Sequence, residues 1–205
     1  MRLQVESDHY YINYDTKERF CSYWHQIEEI VSHNPKTVLE IGVGNGFVSS
    51  YLKQRGFSIV TSDIDKKLNP SVAASVLDIP FSDETFEIVA CYEVLEHLPY
   101  KYFRKALAET FRISSSRVLL SLPDANRVYR VCIQIPKLGL FKKLIQIPRF
   151  KKVVNYFDGQ HYWEIGKAGY SLSTIINVIS KVGFKIEKTY RVFENPYHRF
   201  FVLKK

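Results

Sequence analysis

Residues 37 to 46 of the chain read Thr-Val-Leu-Glu-Ile-Gly-Val-Gly-Asn-Gly. Their apolar part is too short for a helix and is typical of a buried central strand. Residues 47 to 54 then have the pattern of a helix, and Gly56 follows its end. The glycines between permit a positive φ and let a ligand approach without meeting a Cβ atom, and the start of the helix offers unpaired N–H groups. The stretch therefore predicts a strand, a turn and a helix that form a ligand-binding cradle.

Glu40 stands two residues before the first of three alternating glycines, Gly42, Gly44 and Gly46. The spacing differs from the G-x-G-x-x-G pattern of dinucleotide-binding turns. A carboxylate beside the turn would repel a pyrophosphate but would suit the ammonium end of an amino acid. The turn with this acid resembles the first motif of the class I S-adenosylmethionine-dependent methyltransferases. The resemblance implies that these four residues hold the methionine part of S-adenosylmethionine, and that S-adenosylhomocysteine is the product.

A second predicted strand, residues 57 to 63, ends in Asp63, about 20 residues after the first glycine. Nucleotide sites of α/β proteins place an acid at this point on the ribose hydroxyls, and one carboxylate can accept from both. Asp65 is the near competitor, and an exposed turn acid is the alternative without a function. Asp63 is preferred because the register of the strand puts it at the tip.

A second motif flanks the predicted strand from Phe86 to Tyr92. Residues 77 to 81 read Leu-Asp-Ile-Pro-Phe, and residues 93 to 98 read Glu-Val-Leu-Glu-His-Leu. Together they closely resemble the type 11 branch of the same methyltransferases. The resemblance implies that Asp78 accepts from the adenine amino group and that the backbone N–H of Ile79 faces the adenine ring.

The resemblance also implies that the residues after this strand line the cofactor and the reacting centre. Glu93 is assigned to the cofactor, and His97 is a candidate general base beside Glu96. Two further candidates, His161 and Glu164, lie three residues apart in the sequence. On one helical turn they would share a face and could act as a general base and the group that orients it. The alternative is a packed aromatic turn in which the histidine only satisfies a backbone group.

The composition is that of an ordinary soluble globular protein, with 46% hydrophobic and 24% charged residues. Its length predicts one domain, residues 1 to 205. No apolar run reaches the roughly 18 residues of a membrane span, and the N-terminus lacks the apolar core of a signal peptide. The three cysteines are scattered and form no C-x-x-C, which favours free thiols in a reducing compartment. A cytoplasmic protein is expected.

The formal net charge of +8 is concentrated in residues 125 to 157. This stretch contains no acid and eight basic residues: Arg127, Arg130, Lys137, Lys142, Lys143, Arg149, Lys151 and Lys152. Since these eight account for the whole net charge, the rest of the chain is formally neutral. Apolar residues alternate with the basic ones, and two prolines bracket residues 137 to 147, so any helix there is expected to be short.

Three interpretations of this basic segment compete. It can be a solvated cap packed on the domain, or it can dock on an anionic membrane and reach a lipid-linked acceptor. The third interpretation, nucleic acid binding, is disfavoured because no recognition helix or RNA-binding module is apparent. A metal site is also disfavoured, because no cluster of histidine and acidic residues has ligand spacing along the sequence.

The remaining pattern completes the fold. Residues 1 to 34 are expected to form a helical cap, with a helix from Asp15 to Ser32 that packs on the domain; the alternative is that Tyr10, Tyr11 or Tyr14 closes over the ligand. Residues 125 to 167 are expected to be a basic lid insertion. The other predicted elements, from the same periodicities, are a third strand at residues 72–77, helices at 100–113 and 171–182, and strands at 117–122, 184–193 and 197–203.

The resemblance implies a Rossmann-like α/β fold of the class I methyltransferases. Its sheet is mostly parallel and seven-stranded, with helices on both faces and an antiparallel hairpin at the C-terminal end. The implied reaction is methyl transfer from S-adenosylmethionine to a small-molecule acceptor or one linked to a lipid or glycan. The alternatives are an NAD or nucleotide-sugar enzyme, an RNA methyltransferase, and a binding or scaffold protein that keeps the fold without turnover.

Overall fold

The computed structural model describes residue 10 and residues 14–148, 153–157 and 159–205. Within these ranges the strands are β1 (Val38–Ile41), β2 (Ile59–Asp63), β3 (Val72–Ala73), β4 (Phe86–Tyr92), β5 (Ser114–Pro123), β6 (Val128–Ile135), β7 (Gly139–Gln146), β8 (Lys185–Arg191) and β9 (His198–Lys204). The α-helices are α1 (Lys17–Val31), α2 (Phe47–Gln54), α3 (Phe103–Ile113) and α4 (Leu172–Val182). No helix in these ranges is long and apolar enough to cross a bilayer.

Seven strands form the main sheet of the described chain, in the order β3-β2-β1-β4-β5-β9-β8. The pairs from β3 to β5 are parallel, and β9 is antiparallel to both β5 and β8. The predicted α/β fold with a C-terminal antiparallel hairpin is therefore confirmed.

The central strand β1 is buried along its whole length because helices cover both faces of the sheet. Leu39 points into a core formed with α3 and α4, which includes Leu107 and Ile175. Val38 points into the opposite core, formed with α1 and α2. A strand with two apolar environments needs no polar face, which explains why three of the four residues of β1 are apolar and Glu40 is the exception.

The register brings the carboxyl ends of three neighbouring strands to one edge of the sheet. Ile41 pairs with Ser62 of β2 and with Cys91 of β4. The segments that follow β1, β2 and β4 therefore leave the sheet side by side. This crevice is where open α/β sheets bind their ligands.

Several elements are shorter than the sequence predicted. β3 consists of only two residues, because the chain turns after Ala74, where the N–H of Asp78 donates to the carbonyl of Ser75 (3.0 Å). The helix predicted from Tyr100 begins as a 3-10 turn and becomes α-helical at Phe103. Helix α1 begins after Thr16, whose hydroxyl accepts from the Arg19 N–H as an N-cap.

The middle of the basic segment is a β-hairpin of β6 and β7, whereas the sequence analysis allowed only a short helix there. The strands pair antiparallel from Val128↔Gln146 to Ile135↔Gly139. The turn is tight, with φ of +69° at Lys137 and +95° at Gly139. The regular alternation of apolar and polar residues satisfies a period of two, and the prolines lie outside the paired residues.

The two faces of this hairpin differ. Arg130 and Lys142 lie on one face and reach Glu194 of the domain, at 2.9 Å to its carbonyl and 2.6 Å to its carboxylate. The opposite face, called here the apolar hairpin face, is formed by six residues that the register puts on one side: Tyr129, Val131, Ile133, Ile135, Phe141 and Ile145. Five of these six side chains are exposed large apolar groups.

Candidate active site

A cavity of about 410 Å³ opens at the carboxyl ends of β1, β2 and β4. Its wall includes the glycine turn after β1, the acids that follow β2, and the 3-10 turn Leu95–His97 after β4. His161 of the insertion and His198 at the start of β9 complete it on the far side. The sequence-predicted site therefore corresponds to a real concavity.

The glycine turn is shaped by close packing and by backbone angle. A Cβ atom on Gly42 would lie 2.3 Å from Cγ2 of Val94, and φ at this residue is +84°. Gly46 has φ of +72° and is the N-cap of α2. A Cβ on Gly44 would lie 3.8 Å from the ring of Tyr10, which also lines the cavity. These positions require glycine for the reasons that the sequence suggested.

Glu40 lies under this turn and is only 4% exposed. Burial raises the pKa of its carboxyl to about 8, although a hydrogen bond with Ser49 and the charge of Lys53 oppose the shift. Its Oε2 atom is buried and has no hydrogen-bond partner among the described residues. A carboxylate oxygen in this state lacks a donor, and it lies where the sequence analysis expected an ammonium group.

Asp63 occupies the tip of β2 and lines the cavity. Its two oxygens accept from the backbone N–H groups of Val43 and Asp65, each at 2.8 Å. Burial raises the pKa of Asp63, and these two hydrogen bonds act in the opposite direction. The competing acid, Asp65, also lines the cavity but caps the 3-10 turn that follows by accepting from the Lys67 N–H (2.9 Å).

Asp78 and Ile79, the residues expected at the adenine, are not among the described residues that line the cavity. Asp78 is exposed to solvent. The N–H of Ile79 donates to Oε1 of Glu109 at 2.8 Å and is therefore already engaged. The chain turns away after Val76, and Ala74, Ser75 and Val76 form this part of the wall instead. Because β3 ends at Ala73, the chain leaves the cavity wall before it reaches Asp78 and Ile79.

Glu93 follows β4 in a left-handed conformation, with φ of +52°. A non-glycine residue held there is a sign of local strain of the kind found at functional sites. Its N–H donates to the hydroxyl of Ser121 (3.1 Å), and its Oε2 lies 3.8 Å from Nε2 of His198. Its Oε1 is buried and has no hydrogen-bond partner among the described residues.

His198 is a cavity residue that the sequence analysis did not single out. It begins β9, is 4% exposed, and has its pKa lowered chiefly by burial, against the opposing charge of Glu93. The sequence around His198 predicted only a strand. A strand pattern does not indicate that the side chain at its end lines a cavity.

Glu96 is completely buried in the cavity wall. Burial, and then the charge of Glu93, raises the pKa of its carboxyl well above the ordinary value. Neither carboxylate oxygen has a hydrogen-bond partner in the described part of the chain. The His97 Nε2 atom lies 4.0 Å from Oε1.

His161 meets His97 across the cavity wall, with ring centroids 5.0 Å apart. The Nδ1 atom of His161 lies 3.3 Å from Oε1 of Glu164 and 3.2 Å from the hydroxyl of Tyr197. The expected pair is thus close in space, although an irregular segment and not a helical turn brings it together. Burial alone would raise the pKa of Glu164, but hydrogen bonds from His161 and Tyr197 and the charge of Lys167 lower it.

Aromatic residues before α1 cover the cavity from the other side. Tyr10 and Tyr14 both line it and pack edge to face at 5.1 Å. Arg19 stacks on the Tyr14 ring at 3.8 Å and donates to its hydroxyl (2.8 Å). Tyr11, the third candidate for closing over a ligand, lies outside the described residues.

Comparison with known proteins agrees with this geometry. Residues 39–122 match a family described as a methyltransferase domain. The matched residues include the glycine turn after β1 and the 3-10 turn after β4, and over this stretch the chain is similar to methyltransferases of the type 11 branch. An uncharacterised protein of Methanocaldococcus jannaschii is 33% identical over 101 residues, which are 46% of this chain and 44% of that protein. The chain thus matches less than half the length of this curated relative.

Solved structures with low sequence identity share the fold. A methyltransferase from Aquifex aeolicus described as SAM-dependent has a TM-score of 0.63 at 14% identity, covering 98% of each chain. The 1,6-didemethyltoxoflavin-N1-methyltransferase of Burkholderia thailandensis, with bound S-adenosylhomocysteine, has a TM-score of 0.61 at 13% identity, covering 97% of this chain and 84% of its own. Magnesium protoporphyrin IX methyltransferase from Synechocystis PCC 6803, with bound SAH, has a TM-score of 0.63 at 16% identity and covers 92% and 83%.

Proposed function

We propose that this chain transfers the methyl group of S-adenosylmethionine to a small-molecule or lipid-linked acceptor. The observation that carries the proposal is a buried oxygen of Glu40 beneath the glycine turn, which has no hydrogen-bond partner in the described ranges, in a cavity of about 410 Å³. When bound, the cofactor supplies an activated methyl group on a sulfonium. The protein's own task is then to position the acceptor and to accept its proton where one is lost.

The cofactor residues follow from the geometry of the wall. Glu40 receives the ammonium group, and the glycine turn lets the amino-acid part approach the backbone. Asp63, although braced by two backbone N–H groups, retains acceptor capacity on both oxygens for the ribose hydroxyls. Ser75 and Val76 replace Asp78 and Ile79 beside the adenine.

The acceptor side is the part of the cavity beyond Glu93. His161 is oriented by Glu164 and Tyr197 at its Nδ1 atom, so its other nitrogen is directed away from these partners. His97 stands beside it with Nδ1 held by the carbonyl of Gln160 (3.0 Å). Two positioned imidazoles suit an acceptor that must give up a proton from oxygen or nitrogen.

A lipid-linked acceptor is favoured over a freely diffusing one by the apolar hairpin face. Five of its six side chains are exposed, and Lys137 and Lys143 lie at the turn and within the face. Apolar side chains that enter the headgroup region and cations that meet anionic lipids reinforce one another, at about 1 kcal/mol per basic residue near the surface. The basic residues of the hairpin could also meet RNA, but exposed apolar side chains beside them favour a lipid surface.

Calorimetry with the two forms of the cofactor tests the core of this proposal. S-adenosylmethionine and S-adenosylhomocysteine are expected to bind at micromolar concentrations, whereas NAD is not. Replacing Glu40 by Gln or Asp63 by Asn should weaken binding by at least about 1 kcal/mol, about fivefold, through loss of a charge-assisted hydrogen bond. The exposed Glu28→Gln is the control. Unchanged affinity in both folded site variants would refute the placement.

Sedimentation with vesicles tests the hairpin surface. Phe141 and Leu140 are exposed to 55% and 56% but lie on opposite faces of the hairpin. Phe141→Ser should weaken binding to phosphatidylglycerol vesicles, while the matched Leu140→Ser should retain it. Neutral phosphatidylcholine vesicles should bind weakly in all cases. Equal behaviour of the two variants, or binding of RNA that is lost with either, would contradict membrane docking by this face.

A further inference from the structure

Three potential metal ligands meet in the cavity wall although they are far apart in the sequence. One ligand atom from each of Glu96, His97 and His161 lies within 4.8 Å of the others. The first two come from the turn after β4, and the third comes from the insertion 64 residues after His97. The sequence analysis disfavoured a metal site because it considered only the spacing of ligands along the sequence. That spacing cannot detect ligands that the fold brings together from distant segments.

In both histidines, one ring nitrogen contacts a polar group that is not part of the cluster. The Nδ1 atom of His97 lies 3.0 Å from the carbonyl oxygen of Gln160. The Nδ1 atom of His161 lies 3.3 Å from the Glu164 carboxylate. Metal-binding histidines are typically oriented in this way, by a carbonyl or a carboxylate on the ring nitrogen that does not bind the ion. With Nδ1 engaged in each ring, Nε2 is the nitrogen that would serve as the ligand, and in His97 it lies 4.0 Å from Oε1 of Glu96.

Glu96, the carboxylate ligand of the cluster, would be stabilised in its charged form by a cation. Glu96 is fully buried, and within the described chain neither of its oxygens has a hydrogen-bond partner. Its side chain lines the cavity. A carboxylate in such a place is stabilised by a metal ion or by a paired charge, since solvation by water is lost.

We propose that Glu96, His97 and His161 bind a divalent transition-metal ion, with zinc as the best match. Two imidazoles and one carboxylate are a ligand set of zinc sites that keep an open fourth position, whereas magnesium and calcium prefer oxygen ligands. With metal–ligand bonds of about 2.0 Å, tetrahedral ligand atoms lie roughly 3.3 Å apart. Small side-chain rotations therefore close the site.

The ion would sit on the acceptor side of the cavity, because all three ligands line that wall. This position rests on the proposed function, but binding of the ion does not. With the ion bound, both imidazoles would be ligands and would no longer serve as general bases, so this arrangement replaces the general-base role proposed for them. An open coordination position there would suit an acceptor with an oxygen atom. The proposal thereby narrows the acceptor class to compounds that offer a hydroxyl or carboxylate oxygen near the transferred methyl group.

Metal binding to the full chain, stripped with a chelator, is the decisive experiment. Zinc titrated by calorimetry should bind at one equivalent, and cobalt should give the visible absorption of a tetrahedral site with nitrogen and oxygen ligands. His97→Ala, His161→Ala and Glu96→Gln should each weaken zinc binding at least tenfold. His33→Ala, outside the cavity, and His198→Ala, inside it but outside the cluster, are the matched controls and should bind as the parent chain does.

Three results would overturn the proposal: no saturable zinc binding, equal loss in the control variants, or a cobalt spectrum with a thiolate charge-transfer band. The last would assign the ion to a cysteine. S-adenosylhomocysteine affinity is measured on the same samples. Zinc binding without cofactor binding would refute the proposed function alone, and cofactor binding without zinc binding would refute the metal site alone.

Discussion

At the scale of single residues, Gly42 and Gly56 have almost the same backbone angle, with φ of +84° and +85°. Their surroundings are different. A Cβ on Gly42 would meet Val94 at 2.3 Å, whereas a Cβ on Gly56 would meet nothing within 4 Å. The two positions therefore separate the cost of the backbone conformation from the cost of crowding.

Gly56→Ala is expected to lower the free energy of unfolding by about 1–2 kcal/mol, which is the cost of a left-handed L-residue. Gly42→Ala should lower it by about 1–3 kcal/mol more, because the new methyl group overpacks against Val94. Urea denaturation measures both values. Adding Val94→Ala should restore part of the loss at Gly42 and none of the loss at Gly56; equal losses would show that packing does not select glycine here.

Glu40 links the site to pH. The folded pKa of the Glu40 carboxyl, about 8, is above the ordinary 4.5. The contribution of this group to stability is therefore complete below pH 4.5 and is lost as the pH rises through 8. The loss amounts to a few kcal/mol at about 1.4 kcal/mol per pH unit. Glu40→Gln should therefore lose less stability than the parent chain between pH 5 and 9 in thermal denaturation, whereas Glu28→Gln should follow the parent curve. Parallel curves for all three would contradict a buried neutral Glu40.

At the scale of elements, sequence reasoning succeeded where one physical demand dominates. The strand β1 and the glycine turn carry a single apolar and conformational signal, and both lie where the sequence put them. It failed where two demands compete. In the basic segment, prolines obscured the period-two pattern of the hairpin. In the third strand, the apolar residues up to Leu77 suggested a longer element than the two residues that pair with β2.

Trp163 connects the returning insertion to the domain. It is completely buried, donates from Nε1 to the Leu98 carbonyl (3.0 Å) and packs on Phe103 with ring centroids 4.8 Å apart. No local pattern reveals this contact, because it joins segments about 60 residues apart. The placement of His161, two residues earlier, depends on it.

Trp163→Ala should reduce the free energy of unfolding by about 3–5 kcal/mol, as expected for a large aromatic side chain removed from a core. Trp163→Phe keeps most of the packing but leaves the Leu98 carbonyl without its donor, at a cost of about 1–3 kcal/mol. Guanidinium denaturation provides the comparison, with the exposed Trp24→Phe as the control. A loss below 1 kcal/mol for the alanine variant would contradict the anchoring role.

At the scale of the whole molecule, the cavity and the basic hairpin are surfaces of opposite charge. The cavity wall gathers acids from three strand ends, while the hairpin carries basic residues without a single acid between residues 125 and 157. A cationic cofactor and an anionic surface would then meet different parts of one chain. The two surfaces are separate because they come from different parts of the fold: the cavity lies at the carboxyl ends of β1, β2 and β4, whereas the hairpin is inserted after β5.

Cofactor binding should be visible in global stability. At a concentration 100 times its Kd, S-adenosylhomocysteine is expected to stabilise the fold by about 2.7 kcal/mol. For a chain of this length, that corresponds to a rise in Tm of roughly 5–11 °C. Differential scanning fluorimetry measures the rise, and Glu40→Gln should reduce it at the same ligand concentration. A rise of equal size with NAD would favour the dinucleotide alternative.

The three cysteines differ in solvent exposure. Cys91 is fully buried within β4, Cys21 is partly buried, and Cys132 is exposed on β6. Burial strongly raises the pKa of the Cys91 thiol, which further suppresses its reactivity. A maleimide dye should therefore attach first to Cys132. Because Cys132 pairs with Lys142, it lies on the hairpin face opposite the apolar hairpin face. The natural chain thus offers a fluorophore site close to that face but outside it, so that emission can test the proposed approach to lipid in real time without any engineered residue.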